Sequence, residues 1–133
     1  MRTPRVGLTA RIDRTVAPGD TAEHFGNPGV QVLATPVLCS WFENAALACI
    51  RAHLELGEAS VGTKLSIEHL AASPPGTPVT VEAELMEVDR RRLAFRIEAR
   101  DQHEMIGRGT HERFVIDLAR FLERAEAKTV TPQ

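Results

Sequence analysis

Residues 33–48 read LATPVLCSWFENAALA, and this stretch decides the fold because it is apolar around almost its whole circumference. Thr35 is a good N-cap, Pro36 suits the first helical position and Gly57 is a natural stop, which together predict a helix of about twenty residues. It is the only long helix that the sequence indicates. A helix without a polar face has to be covered by the rest of the chain.

The segments around this helix alternate in hydrophobicity with a period of two, which is typical of β-strands. Residues 5–16 form a first strand that ends at the turn signal of 17–20, and residues 21–34 form a short helical turn and then a loop. Three strands follow the helix, and we expect their inward faces to carry Val61, Thr63, Leu65, Ile67 and His69, then Val79, Val81, Ala83 and Leu85, then Leu93, Phe95, Ile97 and Ala99.

Turn signals join these strands. Asp89-Arg90 predicts a hairpin, and a last strand runs from about Met105 to Ile116, where Gly107 and Gly109 indicate a bulge or a close approach of two backbones. From about residue 117 the chain forms a short helix that frays into a polar end.

One strand, one long apolar helix and four strands joined largely by hairpins predict an α+β hot-dog fold. In it a curled antiparallel sheet wraps around one long central helix, and residues 1–133 form a single domain. So small a sheet has open edges and covers the helix incompletely. We therefore expect a homodimer.

Composition and charge exclude several classes of protein. The formal net charge of −2 argues against a nucleic-acid partner, and no apolar run approaches the roughly 20 residues that span a bilayer. The N-terminus lacks the apolar block of a signal peptide. Cys39 and Cys49 fall in the same predicted helix, roughly 15 Å apart, too far to bridge. Reduced thiols and a cytoplasmic location follow.

Glu43 is the first candidate for chemistry, because burying an unpaired carboxylate in so apolar a helix is costly. Its structural alternative is a carboxylate that points through a gap in the sheet or bonds to Ser40 or Asn44. His69 is the second candidate, since it continues the inward face of its strand, although a single histidine on an apolar face is more often a satisfied core residue than a catalyst. Together the two can meet in one half-buried pocket, where a carboxylate and an imidazole form an acid–base pair.

Other residues are weaker candidates. Thr35 is explained by helix capping alone, Gly62 is able to let a substrate approach the main chain, and Arg113 is able to bind a carbonyl or a phosphate unless it is plain surface charge. The arginines at 90–92 fit a solvated hairpin tip better than a nucleotide site. No metal is expected, because the remaining histidines show no ligand spacing: His24, His53, His103 and His111. Phosphate-loop, dinucleotide and nucleophile-elbow motifs are absent, so no bound cofactor is expected.

From Val16 to Phe121 the chain resembles the fluoroacetyl-CoA thioesterase-like group of hot-dog acyl-CoA thioesterases. The most specific pieces are ATPVLCSWFENAA, SVGTKLSIEHLAASPPG and IGRGTHERFVI. The resemblance implies a catalytic set of Thr35, Glu43 and His69. The glycine of the family's S-x-G-T pattern falls on Gly62, and the arginine of its H-E-R pattern falls on Arg113. The segment EHFGNPGVQVLAT departs from the family, because it is short and Phe25 is its only aromatic residue.

The resulting prediction is an acyl-CoA thioesterase for short or medium chains without a large preference for fluoroacetyl-CoA. Glu43 attacks the thioester or activates a water molecule, His69 assists proton transfer, Thr35 orients one of them, and the Gly62 amide holds the oxyanion. We expect the pocket wall to include Leu38, Trp41 and Phe42. A hot-dog module that binds acyl-CoA without hydrolysing it is the alternative from another class, and a hydratase is a third.

One geometric difficulty follows from these assignments. Eight helical residues place Thr35 and Glu43 about 12 Å apart along the axis. Either the thioester lies between them, or Thr35 sits in a bend that folds back.

Overall fold

The computed structural model describes residues 1–129, and its elements follow the predicted order. They are β1 (Thr9–Thr15), α1 (Thr35–Ile50), β2 (Glu58–His69), β3 (Pro78–Asp89), β4 (Arg92–Arg100), β5 (Met105–Asp117) and α2 (Leu118–Glu126). Short 3-10 turns occupy Pro18–Asp20, Arg51–His53 and Ala127–Thr129. The first of these lies just before the segment where the helical turn was predicted. The end of the predicted polar tail, 130–133, lies outside the described residues, so a single domain over 1–133 stays a prediction.

The five strands form one antiparallel sheet in the order β1-β3-β4-β5-β2. The β3–β4 hairpin turns at Asp89–Arg92 as predicted, with Arg90 in the left-handed region at φ 57°. The core is made by the inward residues of β3 and β4 against α1. This arrangement leaves β1 and β2 as edge strands, so the sheet has the two open edges that the sequence predicted.

Helix α1 presents one stripe to the sheet. Its buried residues recur at spacings of three and one, as one face of an α-helix requires: Leu38, Trp41, Phe42, Ala45, Ala46, Cys49 and Ile50. The opposite face is only half-buried and includes Val37, Leu47 and Ala48. The sheet therefore covers one side of the helix and leaves a largely apolar face open. Neither α1 nor α2 is long and apolar enough to cross a bilayer.

The ends of α1 differ from the prediction. Ala34 is the N-cap residue, whereas Thr35 is already the first helical residue and its side chain makes no capping hydrogen bond. The regular helix ends at Ile50 rather than near Gly57, because Arg51–His53 tighten into a 3-10 turn. A helix of 16 residues is thus shorter than expected, and the Thr35 hydroxyl is free for another partner.

The inward face of β2 was predicted correctly only in its second half. The pairing of β2 with β5 shifts between Gly62 and Lys64, so Thr63 is an extra, bulged residue. Leu65 and Ile67 pack on the core, but before the bulge the parity reverses. Val61 lies opposite the exposed Phe114, and Gly62 takes the inward position instead. The prediction of Val61 and Thr63 as inward residues is therefore wrong.

Gly107 and Gly109 mark close approaches, and the pairing of β5 with β4 also shifts beside Gly107, where Ile106 is an extra residue. A Cβ at Gly107 would lie 2.8 Å from Leu38 Cδ2, and a Cβ at Gly109 would collide with the Ser66 carbonyl oxygen. The first glycine lets α1 settle onto β5, and the second lets β2 lie close to β5. Both contacts fix the position of α1 and β2, the two elements that carry the candidate residues.

Candidate active site

Glu43 lies in the middle of α1 with its carboxylate directed toward β2 and β5. Its Oε1 is 3.2 Å from Arg113 Nη1 and 3.9 Å from His111 Nε2. The side chain is 45 % exposed, so the expectation of a buried carboxylate is wrong for the protomer. The predicted alternative bond to Ser40 or Asn44 is not formed either. The hydrogen-bond partner of Glu43 Oε1 is the Arg113 guanidinium on β5. Glu43 is a partly exposed acid held from behind by a buried cation.

Arg113 is a buried residue whose guanidinium is engaged on every nitrogen. Nε donates to Ser60 Oγ at 2.8 Å, Nη2 donates to the Ser60 carbonyl at 2.8 Å, and Nη1 contacts both Glu43 and His111. Burial lowers the pKa of the guanidinium and the Glu43 carboxylate opposes that shift. Arginine nevertheless stays protonated at physiological pH. The explanation of Arg113 as plain surface charge is wrong, and its nitrogens are directed at protein groups.

His111 belongs to this cluster, although the sequence reasoning considered it only as a metal ligand. Its Nδ1 donates to the Lys64 carbonyl at 2.8 Å, and its ring packs near Phe95 with centroids 6.2 Å apart. Burial lowers the pKa of the imidazole. His111 and Arg113 are two residues apart on one strand, so their side chains lie on the same face. This spacing is a signal in the sequence that indicates His111 as a neighbour of Arg113.

Gly62 provides the space in which the Glu43 carboxylate lies. A Cβ at this position would collide with Glu43 Oε1 and would lie 3.1 Å from His111 Cε1. The bulge at Thr63 turns this glycine inward. The sequence predicted that Gly62 allows a close approach to the main chain, and the group that approaches it in the protomer is the carboxylate.

Thr35 and His69 form a second cluster, where α1 begins and β2 ends. Thr35 Oγ1 and His69 Nδ1 are 2.8 Å apart. A hydroxyl both donates and accepts, so this bond orients the ring in either tautomer. Burial lowers the pKa of His69. Within residues 1–129, His69 Nε2 is buried without a hydrogen-bond partner.

A cavity of about 260 Å³ adjoins His69. It is lined by Val32, Leu33, His69, Leu70, Ala71 and Ala72. The lining is apolar apart from the imidazole. A basic nitrogen at the wall of such a cavity is suited to take a proton from a bound group or to give one to it.

The protomer thus brings Thr35 to His69 and brings Glu43 to Gly62 and Arg113, but it does not join the two clusters. Helix α1 is regular from Thr35 onward, so the bend that folds Thr35 back is absent and about two helical turns, 12 Å, separate it from Glu43. Phe42 was predicted to contact substrate, but it is fully buried in the core. Its ring lies 3.6 Å from the Cβ position of Gly107, and its contact with substrate stays a prediction.

The arginines of the β3–β4 hairpin are paired with acidic side chains. Arg91 pairs with Glu58, and Arg92 pairs with Glu87 and Glu112, which supports a solvated hairpin tip over a phosphate site. In the part of the chain from 1 to 129, no three His, Cys, Asp or Glu side chains are placed to share a metal ion.

Comparison with known proteins matches the chain to one family. The model of the fluoroacetyl-CoA-specific thioesterase family matches residues 16–119. The fluoroacetyl-CoA thioesterase of Streptantibioticus cattleyicolor is 40% identical over an alignment of length 131 that covers 94% of each chain. A solved structure of the fluoroacetyl-CoA thioesterase FlK superposes with a TM-score of 0.90 at 40% identity, over 96% of this chain and 99% of that one.

Two more distant structures agree. A thioesterase superfamily member from Thermus thermophilus has a TM-score of 0.84 at 31% identity, covering 96% of this chain and 99% of its own. A hot-dog-like protein from Thermanaerovibrio acidaminovorans, at 22% identity, has a TM-score of 0.88 over 96% and 94% of the two chains and shows the fold alone. The predictions of a hot-dog fold and of an acyl-CoA thioesterase are confirmed. The chain belongs to the fluoroacetyl-CoA-specific thioesterase family.

Proposed function

We propose that this protein hydrolyses short acyl-CoA thioesters to a free acid and CoA, with Glu43 as the reacting carboxylate. The observation that carries the proposal is the placement of Glu43, which is half-exposed while a buried arginine holds one of its oxygens. Because about half of the side chain is exposed, a substrate is able to reach the other oxygen. The 40% identical relative acts on fluoroacetyl-CoA, which supports a substrate with a short acyl group.

Two routes are open to Glu43, and both leave Oε2 as the reacting atom because Oε1 is held by Arg113. In the first, Oε2 attacks the thioester carbonyl, CoA leaves as the thiol after gaining a proton, and water hydrolyses the resulting anhydride. In the second, Oε2 takes a proton from a water molecule that attacks the carbonyl. Each route consumes one water molecule and yields the acid and CoA.

The departing sulfur receives its proton through His69, which as a neutral ring first accepts a proton released by the consumed water molecule, directly or through Glu43, and then gives it to the sulfur. Thr35 fixes the ring through its hydrogen bond with Nδ1, and the ring lies at the wall of the cavity. Because burial lowers its pKa, the imidazole is neutral at pH 7 and able to accept that proton. Thr35 is therefore a residue that orients His69.

The Gly62 amide is our candidate for the oxyanion donor. It lies at the bulge of an edge strand, where regular pairing is interrupted, and bulges of this kind are common beside active sites. The absence of a side chain at Gly62 keeps the main chain open to the same space that the Glu43 carboxylate occupies.

A homodimer through β2 resolves the separation of the two clusters. Strand β2 is a 12-residue edge strand, and the open face of α1 is apolar. When two such edges pair antiparallel about a two-fold axis, each end of one strand faces the opposite half of the other. The cluster at the end of the partner's β2, which contains the partner's Thr35 and the partner's His69, then approaches Glu43 and Gly62.

Arg113 and the cellular setting complete the proposal. With all its nitrogens engaged by protein groups, Arg113 orients Glu43 and makes no direct contact with a phosphate. Cys39 and Cys49 are free thiols, which supports the predicted reducing, cytoplasmic compartment.

The test is thiol release across a series of acyl-CoA substrates, namely acetyl-, propionyl-, butyryl- and hexanoyl-CoA, with Glu43→Gln measured in parallel. We expect turnover that is highest for the shortest chains and absent in the variant. Calorimetric titration of the same substrates separates this from the alternative. Acyl-CoA that binds to the unmodified protein without release of thiol would make the protein a binding module.

A further inference from the structure

His111 is placed to control the group that holds Glu43. On β5 it is one of the inward residues between Gly109 and Arg113, it is 1 % exposed, and no part of it faces the open side of the site. A buried histidine beside a buried arginine is an unusual combination, because both groups carry a positive charge when protonated. The contacts of the ring show how the two coexist.

The hydrogen bonds of His111 fix its protonation pattern. Nδ1 lies 2.8 Å from the Lys64 carbonyl oxygen, which only accepts, so Nδ1 carries the hydrogen. Nε2 lies 3.1 Å from Arg113 Nη1, which only donates, so Nε2 is the bare nitrogen that accepts. Both bonds exist together only for the neutral ring. A protonated ring would direct an N–H at another N–H.

The other nitrogens of Arg113 then determine where the guanidinium lies. Ser60 accepts from Nε and Nη2, and His111 accepts from Nη1, the same nitrogen that meets Glu43 Oε1. If Ser60 alone held it, the guanidinium would still be able to rotate about the line through Nε and Nη2. The hydrogen bond that Nη1 donates to His111 Nε2 prevents this rotation, and Nη1 is the nitrogen that contacts Glu43. The direction in which Nη1 presents its second hydrogen to the carboxylate thus depends on the imidazole.

We propose that His111 is a positioning residue: as a neutral acceptor it locks the Arg113 guanidinium against Glu43, and so sets the orientation of the reacting carboxylate without touching substrate. This inference rests on the proposed function, in which Glu43 is the reacting group. Displacement of a catalytic group by about 1 Å is enough to cost on the order of 100-fold in rate. The effect belongs to kcat, since His111 does not touch the bound substrate.

Two amide variants separate the acceptor from the donor. His111→Gln places a carbonyl oxygen near the position of Nε2 and keeps the bond from Arg113. His111→Asn reaches only the position of Nδ1 and keeps the bond to Lys64. Both are polar and smaller than histidine, so each loses a comparable part of the packing against Phe95. His103→Asn, on the exposed turn before β5, is the control.

We expect His111→Asn to lower kcat about 10- to 100-fold with KM changed less than about threefold, and His111→Gln to retain most of kcat. In the Glu43→Gln background, His111→Asn should reduce residual turnover no further, because the group that it positions is already gone. Melting temperatures of all variants show whether each is folded.

Equal loss in the Asn and Gln variants at equal melting temperatures would overturn the inference, as would an unchanged kcat in His111→Asn. The outcome also separates the two proposals. If Glu43→Gln retains turnover, the proposed role of Glu43 fails. If Glu43→Gln is inactive while His111→Asn is fully active, only the positioning role of His111 fails.

Discussion

Glu43 and Thr35 lie on the same helix, two turns apart, and their surroundings differ in nearly every physical respect. Glu43 is held by a buried guanidinium that is itself fixed by Ser60 and His111. Thr35 is exposed, and its hydroxyl makes one hydrogen bond, to a histidine whose second nitrogen has no partner among the described residues. One cluster is a charged network with redundant supports, and the other is a single neutral bond beside an apolar cavity.

The difference indicates which half of the site is preorganised by the protomer. One hydrogen bond from Arg113, whose guanidinium is itself held by Ser60 and His111, orients the Glu43 carboxylate, and fixed orientation of this kind is where electrostatic preorganisation is most effective. The Thr35–His69 pair has an unsatisfied buried nitrogen, and such a group needs a partner. In the proposed mechanism that partner is the group with which His69 exchanges a proton. We therefore propose orientation as the role of one cluster and proton transfer as the role of the other.

Removal of the Glu43 charge is the change with the largest expected effect. Glu43→Gln should lower kcat at least about 1,000-fold, because the amide neither attacks the thioester nor takes a proton. Gln keeps an oxygen that accepts from Arg113. The melting temperature should therefore stay within about 4 °C of the unmodified protein or rise slightly. Thiol release and thermal unfolding measure the two quantities.

Glu68→Gln is the matched control, since Glu68 is an exposed glutamate of β2 that pairs with Arg108. It should leave turnover unchanged. A Glu43→Gln variant that loses much stability and keeps its activity would make Glu43 a structural residue.

Mixing two inactive variants tests whether the two clusters meet across a dimer. Glu43→Gln and His69→Ala should each be inactive alone. After subunit exchange, half of the dimers are mixed, and each mixed dimer has one intact composite site. Turnover should then recover to about one quarter of that of the unmodified protein. No recovery, with mixed dimers demonstrated by mass spectrometry, would place both clusters of a working site in one protomer.

Light scattering on the unmodified protein provides the companion measurement. The open apolar face of α1 and the unpaired β2 edge lead us to expect a dimer at micromolar concentration. A stable and active monomer would contradict both the dimer and the composite site.

Much of this architecture is readable from the sequence. The fold is predicted by the spacing of the buried residues of α1 and by the alternation along β3 and β4, because the period of the apolar residues reflects which face of each element is buried. Glu43 and His69 stand out as polar residues in apolar patterns, and that anomaly is local. Each was found without any knowledge of its neighbours.

The errors have a common physical origin in tertiary contacts. A bulge of one residue at Thr63 reverses the parity of β2 and brings Gly62 inward, and nothing in the local pattern announces it. Thr35 has the chemistry of an N-cap, but His69 provides a competing partner across the fold. The spacing of two places His111 and Arg113 on one face of β5, but their contact with Glu43 depends on the packing of β5 against α1, which the local pattern does not show.

The pH dependence of kcat/KM tests the neutral half of the site. Because burial lowers the pKa of His69, the ring stays neutral at pH 7, and we expect the acid limb below pH 6.5, the ordinary value for imidazole. Activity should fall about tenfold for each pH unit below the folded pKa. Burial also lowers the pKa of His111, so His111→Gln, which leaves His69 alone to titrate, identifies the source of the limb. An acid limb above pH 6.5 in that variant would contradict the role of His69.

Substrate choice is where the smallest effect is expected, because the segment before α1 offers no aromatic-rich cover for the acyl group. The segment before α1 supplies one aromatic residue, Phe25, and its side chain is 56 % exposed. It therefore does not cover the cavity next to His69, whose lining is aliphatic.

Discrimination between acyl groups of nearly equal size then depends on a few apolar contacts, and one methylene is worth only about 1–3 kcal/mol in such a pocket. We accordingly expect the kcat/KM values for fluoroacetyl-CoA and acetyl-CoA, measured under identical conditions, to differ by less than about tenfold. The 40% identical relative is a fluoroacetyl-CoA thioesterase, so measuring these two substrates is a strict test of the prediction. A preference of several thousandfold for the fluorinated substrate would show that the missing aromatic residues are not what sets the specificity.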